Sequence, residues 1–206
     1  MLTYSVTAAL ESGLFDKVYV STEDREIASI AEQAGAAVHA RPPELAGDLV
    51  SATEVCLEAE KALSVTGEHC DAIVCLQPSS PFRSAEDIRF SWKRFISDNA
   101  HYLVSVTAID PHYFHWAVHE TKEGWQMYFG DEFLKERSLL PPIYRPNGAI
   151  KIGRVEALRA TRHFFGSPLS VYMMPEERSI HVAEHFDFQL AEYLMQNQNV
   201  SGKGQR

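Results

Sequence analysis

Four short apolar runs, KVYVS (17–21), AAVHA (36–40), DAIVCL (71–76) and YLVSVTAI (102–109), each alternate with a segment of helical periodicity. That alternation limits the chain more than any other feature, because strands that take turns with helices build a sheet covered by helices on both faces. LTYSVTAALESG places Leu2, Val6, Ala9 and Leu10 on one face and ends at Gly13. DREIASIAEQAG follows a capping Thr22 or Asp24 and stops at Gly35, and SATEVCLEAEKALS forms a third helix. DAIVCL is apolar without interruption, as a strand covered on both faces should be. The expected class is therefore α/β, a doubly wound and mostly parallel sheet, in a single domain spanning 1–206.

From about Pro111 the rhythm changes. HYFHWAVHE, GWQMYF and RSLLPPIYRPNGAIKI are rich in aromatic and β-branched residues and predict antiparallel excursions, a small lobe over about 111–170. SVYMMP predicts a late strand. FDFQLAEYLMQ predicts a closing helix with Phe186, Leu190 and Leu194 on one side.

The net charge of −9 argues against a nucleic-acid partner, since phosphate backbones demand basic surfaces. A small anion held by a few local arginines stays compatible with it. Cys56, Cys70 and Cys75 lack metal-ligand spacing and read as reduced thiols of a cytoplasmic protein. No apolar run approaches the length of a membrane span, so no membrane partner is expected. His112 with His115, and His181 with His185, are close pairs without an evident third ligand for zinc.

LQPSSPFRSAEDI (76–88) carries the densest signal. A buried strand runs into a polar turn with two prolines, and Ser84 with Asp87 three residues later forms a capping-box pattern. Ligands of open α/β sheets gather outside the carboxyl ends of strands. Gln77, Ser79 and Ser80 sit at such an end; they either meet a ligand or merely shape the turn. Ser21 and Thr22 stand at the end of KVYV in the same way, with Asp24 as helix cap.

Together with this turn, the stretches ALESGLFDKVYVSTEDREIASIAEQAGA, RPPELAGD, YRPNGAIKI, HFF and MPEERSI, in this order, resemble the CMP-sialic acid synthetases and their legionaminic and pseudaminic acid relatives. The resemblance covers nearly the whole chain. It implies a Rossmann-like domain whose small lobe pairs two protomers in a homodimer. It also implies a reaction between CTP and a nine-carbon acidic sugar, with Mg²⁺, giving a CMP-sugar and pyrophosphate. The anomeric hydroxyl attacks the α-phosphate directly, so catalysis rests on positioning and charge neutralisation. A transferase for another 2-keto-3-deoxy sugar acid, or a non-catalytic homologue that binds sugar acid or nucleotide, are the alternatives.

Carried onto this sequence, the resemblance assigns Arg41 and Ser51 to the nucleotide, and Ser21 joins them from its place at a strand end. Gln77 and Ser79 fall to the sugar, with Arg137, Arg145 and Asn147 around its carboxylate. Phe164 and Phe165 match an aromatic pair reaching into the partner's sugar pocket, or else simply pack. Two departures stand out. The family's opening strand and phosphate loop have no counterpart ahead of LTYSVTAALESG, so the expectation is a truncated module. KVYV and DAIVCL would then face a gap, pair directly or receive a partner strand. The family's two metal aspartates fall on His181 and Ala183, leaving Glu184 or Asp187 as substitutes. Imidazole is a poor ligand for a hard cation. Weak or absent turnover of CTP is expected on both grounds.

Overall fold

The computed structural model describes residues 1–201, with side chains to Asn197 apart from Arg137. The helix–strand alternation is present: α1 (Leu2–Glu11), β1 (Tyr19–Thr22), α2 (Arg25–Gln33), β2 (Ala37–Ala40), α3 (Ala52–Val65), β3 (Ala72–Cys75), α4 (Ala85–Ser97) and β4 (Tyr102–Ile109). Local chemistry sets the helix starts. Asp24 accepts the N–H groups of Glu26 and Ile27, and Ser51–Glu54 and Ser84–Asp87 are complete capping boxes. After Pro111 come α5 (Pro111–His115), the hairpin β5 (Val118–Thr121) and β6 (Gly124–Met127), β7 (Ile143–Arg154), α6 (Val155–Thr161), β8 (Leu169–Met173) and α7 (His185–Ser201). HYFHW, read as extended, turns helical because Asp110 caps the short helix α5 through the His112 N–H and Pro111 fits its first position.

The sheet is mixed. β3, β7, β4 and β8 lie side by side in that order, and β7 runs antiparallel to both neighbours while β4 and β8 are parallel. β1 and β2 form a separate parallel pair. Among the described residues β1 and β3 are not hydrogen-bonded, which leaves one edge of each unpaired. Val18 packs on the cluster beneath β1 and β2 and also on the main core, so the two sheets share apolar contacts.

β7 is the strand around which the core assembles: Ala149, Ile150 and Ile152 are fully buried, with Ile88 and Phe95 of α4 on one side. Tyr102, Val104, Val106, Leu158 and Phe164 fill the other side. Between Val104 opposite Lys151 and Val106 opposite Pro146 the β4–β7 register jumps, so Ser105 alone faces Asn147–Ile150. This wide bulge is held from inside. The Ser105 hydroxyl donates to Asn147 Oδ1 at 2.5 Å and accepts the Ile150 N–H at 2.8 Å. The closing helix differs from its reading. Ala191 is the buried position, whereas Phe186 and Leu190 lie on the surface. No helix of the described residues is long and apolar enough to cross a membrane.

Candidate functional site

The turn after β3 is bolted to the β7 bulge. Arg83, buried at 4% exposure, donates to the carbonyls of Ala149 (2.7 Å) and Gln77 (3.3 Å) and to Ser5 Oγ (2.5 Å). Its guanidinium thus acts as a strut for the turn. Ser80 donates to the Asn147 carbonyl. The Val182 N–H reaches the Ser79 carbonyl at 2.7 Å, bringing His181 over the same turn, with Nδ1 3.2 Å from Ser79 Oγ and 3.5 Å from Ser80 Oγ.

These ties enclose a cleft of about 270 Å³ lined by Gln77, Arg145, Gly148, Lys151, Phe165 and His181. Two cations, Arg145 and Lys151, border it, and among the described residues no acidic side chain lines it. Gly148 has φ +75°, and a Cβ there would stand 2.8 Å from Gln77 Oε1 and 3.2 Å from His181 Nδ1. The bulge therefore needs glycine for its backbone, and a side chain there would displace the Gln77 amide from its place in the cleft. Such a polar, cationic hollow at the carboxyl end of β3 suits an anionic, hydroxyl-rich ligand.

The structure divides the residues singled out from sequence. Gln77, Arg145, Phe165 and the backbone of Asn147 meet at the cleft, with Ser79 behind His181. The Asn147 side chain turns inward, where Oδ1 accepts from Ser105 and the Ala149 N–H, and Nδ2 donates to Ser179 Oγ and Met174 Sδ. Phe164 is 2% exposed in the core, whereas Phe165 is half exposed. Arg137 lies on the 3₁₀ turn Arg137–Leu139, and its side chain falls outside the described residues. Lys151 escaped the sequence reading. A lysine inside the apolar run AIKI was the available signal, since a charge there must point at something polar.

A second group gathers at the ends of β1 and β2. Arg41 Nε and Nη2 both reach Glu23 Oε2, at 2.6 and 2.5 Å. The Glu23 backbone N–H, followed by Arg41, holds that carboxyl below its usual range. The Arg41 N–H bonds the Thr22 carbonyl, which sets Arg41 beside Ser21 and Thr22. Ser51 is the N-cap of α3, its hydroxyl shared with Glu54.

The magnesium ion implied by the resemblance finds a donor set that does not fit it. His181 presents a ring nitrogen, and Ala183 has no side-chain donor. Asp187 Oδ2 accepts the N–H groups of Ala183 and Glu184 at 3.0 and 2.9 Å, and those contacts, Glu184 first, lower its carboxyl pKa. Glu184 is exposed. Among the described residues no three His, Cys, Asp or Glu side chains converge as a metal site. A hard cation needs several oxygens, and this arrangement spends its one well-placed carboxylate as a backbone cap.

Comparison with known proteins gives the lineage. A family model described as Cytidylyltransferase matches residues 1–201. The N-acylneuraminate cytidylyltransferase of Escherichia coli O18:K1:H7 is 32% identical over 201 residues, 97% of this chain and 46% of that protein. The pseudaminic acid cytidylyltransferase of Campylobacter jejuni is 28% identical over 197 residues, 94% of this chain and 84% of that protein. The chain thus spans about half the length of the first of these relatives. A solved CMP:2-keto-3-deoxy-manno-octonic acid synthetase complexed with CTP superposes with a TM-score of 0.65 at 12% identity, covering 95% of this chain and 88% of that one, which shows a shared fold. A matched span of 201 residues with the strand-end cleft in place makes this chain a member of the cytidylyltransferase family, related to the CMP-sialic acid synthetases.

Proposed function

We propose that the chain binds a nine-carbon 2-keto-3-deoxy sugar acid in the cleft of Gln77, Arg145, Gly148, Lys151, Phe165 and His181, and CTP at the ends of β1 and β2 around Ser21 and Arg41. The reaction is the family's: the anomeric hydroxyl oxygen bonds to the α-phosphorus, pyrophosphate leaves, and the hydroxyl proton is released. The observation that carries this reading is the cleft lining, with two cations and no acid around a glycine-floored hollow. Arg145 and Lys151 match the sugar carboxylate, and the Gln77 amide offers both donor and acceptor to hydroxyl or N-acyl groups. The exposed aromatic residues Tyr113, Trp116, Trp125 and Tyr128 support pairing of two chains through the lobe at about 111–170, and the assembly proposed is a homodimer acting in the cytoplasm.

The donor set around His181 favours a second reading, a sugar-acid or nucleotide binder with little turnover. One experiment separates the two. Melting temperature and pyrophosphate release are measured with CTP and a panel of sugar acids, with and without Mg²⁺. Sugar-acid stabilisation abolished by R145A together with K151A supports the cleft assignment, and slow release of pyrophosphate is the expected rate. A sugar acid that binds the double variant as well as the wild type removes the assignment.

A further inference from the structure

Ser21, His39 and Glu58 come from three different elements and meet in a line. β1 and β2 pair with Ser21 opposite His39, which puts both side chains on one face. Ser21 Oγ lies 3.0 Å from His39 Nδ1. The other ring nitrogen, Nε2, lies 3.1 Å from Glu58 Oε2 of α3. His39 is 8% exposed, and Glu58 Oε2 is buried, close to Nε2 by distance but with no aligned hydrogen-bond donor among the described residues.

The chemistry of the three groups fixes a polarity. A carboxylate oxygen close to Nε2 disfavours a bare lone pair there, so the neutral ring keeps its hydrogen on Nε2, drawn by charge rather than held by an aligned hydrogen bond. Nδ1 is then an acceptor, and the one hydrogen of Ser21 is committed to it. A hydroxyl whose hydrogen is spent still carries acceptor lone pairs. Ser21 sits near the carboxyl end of β1, one residue before Thr22, whose carbonyl holds the Arg41 N–H.

We propose that His39 and Glu58 are positioning residues that lock Ser21 Oγ as a hydrogen-bond acceptor facing the nucleotide, so that the site selects a ligand group that donates. This rests on the placement of CTP proposed above. Two donors on the nucleotide share that chemistry, the exocyclic amino group of cytosine and the ribose hydroxyls. Uracil presents an oxygen where cytosine presents the amino group, and a site built to accept rejects it because two acceptors would face each other.

The test has two independent readouts on the intact chain. Nitrogen-15 NMR of the imidazole, assigned with an H39Q control, reports which ring nitrogen carries the hydrogen, and needs no ligand. Binding of CTP, UTP and 2′- and 3′-deoxy-CTP is measured for the wild type, S21A, E58Q and E58K. The expected state is Nε2–H. E58Q keeps an acceptor and should keep that tautomer. E58K replaces it with a donor, moves the hydrogen to Nδ1 and turns Ser21 outward as a donor. S21A and E58K should lose about tenfold of the preference for CTP over UTP if the amino group is read, or of the preference for ribose over deoxyribose if a hydroxyl is read. Melting temperatures close to wild type separate this from loss of fold. A hydrogen on Nδ1 in the wild type overturns the proposal whatever binds. So does the expected tautomer combined with unchanged selectivity in S21A. A wild-type chain that binds no nucleotide overturns the parent reading and the ligand half of this one, while the NMR result still decides the polarity of the relay.

Discussion

Asn147→Ala is the substitution that most directly tests how the cleft is built. The Asn147 amide is 2% exposed and meets four partners. Ser105 has a second acceptor in the Ile150 carbonyl at 3.2 Å, and Ser179 keeps its bond to the Pro175 carbonyl at 2.8 Å, so both recover part of what they lose. The Ala149 N–H has no such substitute. Orphaning one buried N–H costs about 1–3 kcal/mol, and the weakened contacts and the small void add about 1 kcal/mol more. A loss of about 3 kcal/mol corresponds to a drop of roughly 6–12 °C for a chain of this size. Urea unfolding with linear extrapolation measures it, and hydrogen exchange should show Ala149 and Ile150 amides opening faster than those of β8. If N147A unfolds within about 0.5 kcal/mol of the wild type yet no longer binds sugar acid, the bulge does not depend on this amide, and Asn147 is a ligand contact instead.

Gly148→Ala must place a Cβ against Gln77 Oε1 on a left-handed backbone, so sugar-acid affinity should fall by about tenfold or more alongside about 1–2 kcal/mol of stability; unchanged affinity by calorimetry contradicts the cleft geometry. Acid stability should depend on Asp87. Burial alone raises its carboxyl, but the Ser84 N–H, Arg178 and the Ser84 hydroxyl outweigh burial and hold it below the usual value of 3.8. A depressed folded value means the stabilisation is present above about pH 4 and lost as pH falls from there through the lower folded-state value, so D87N should flatten the acid limb of a melting-temperature profile. Tyr172 behaves in the opposite sense. Burial and then Asp87 push its phenol up to about 12, so its contribution holds to about pH 10 and fades above, visible as delayed phenolate absorbance. Mg²⁺ alone should leave the melting temperature unchanged, and a clear rise on titrating Mg²⁺, reversed by chelator, would show that a donor set of oxygens assembles after all.

The parts of this protein that local chemistry dictates were legible before any coordinates. Asp24 and Ser84 announce helix starts because an oxygen at that position meets backbone N–H groups regardless of what the helix later packs on, whereas Ser51, assigned to the nucleotide, turns out to be a cap as well. DAIVCL, read as covered on both faces, is only half-buried along β3, which has a strand neighbour on one side alone among the described residues. What could not be read was direction and register. Nothing in IYRPNGAIKIGR says that it inserts between β3 and β4 and runs against both, because strand order is decided by long-range packing of Ala149, Ile150 and Ile152. The same holds for the cleft. Gln77 and Arg145 carry chemistry in their names, but Phe164 and Phe165 are indistinguishable as letters, and only the fold sends one into the core and the other to the rim. His39 drew no notice because its partners, Ser21 and Glu58, lie 18 positions before it and 19 after.

The jump in pairing at Ser105 has an architectural consequence. Hydrogen bonds on either side of it are set by different residues, Val104 with Lys151 and Val106 with Pro146, so the two arms of the ladder are secured separately. The segment between them is therefore outside the ladder and is fixed by its own contacts, the buried Asn147 amide and the Arg83 bond to the Ala149 carbonyl. Selection acting on substrate preference would work instead on the side chains flanking it, Arg145 and Lys151, which line the chamber without holding the bulge together.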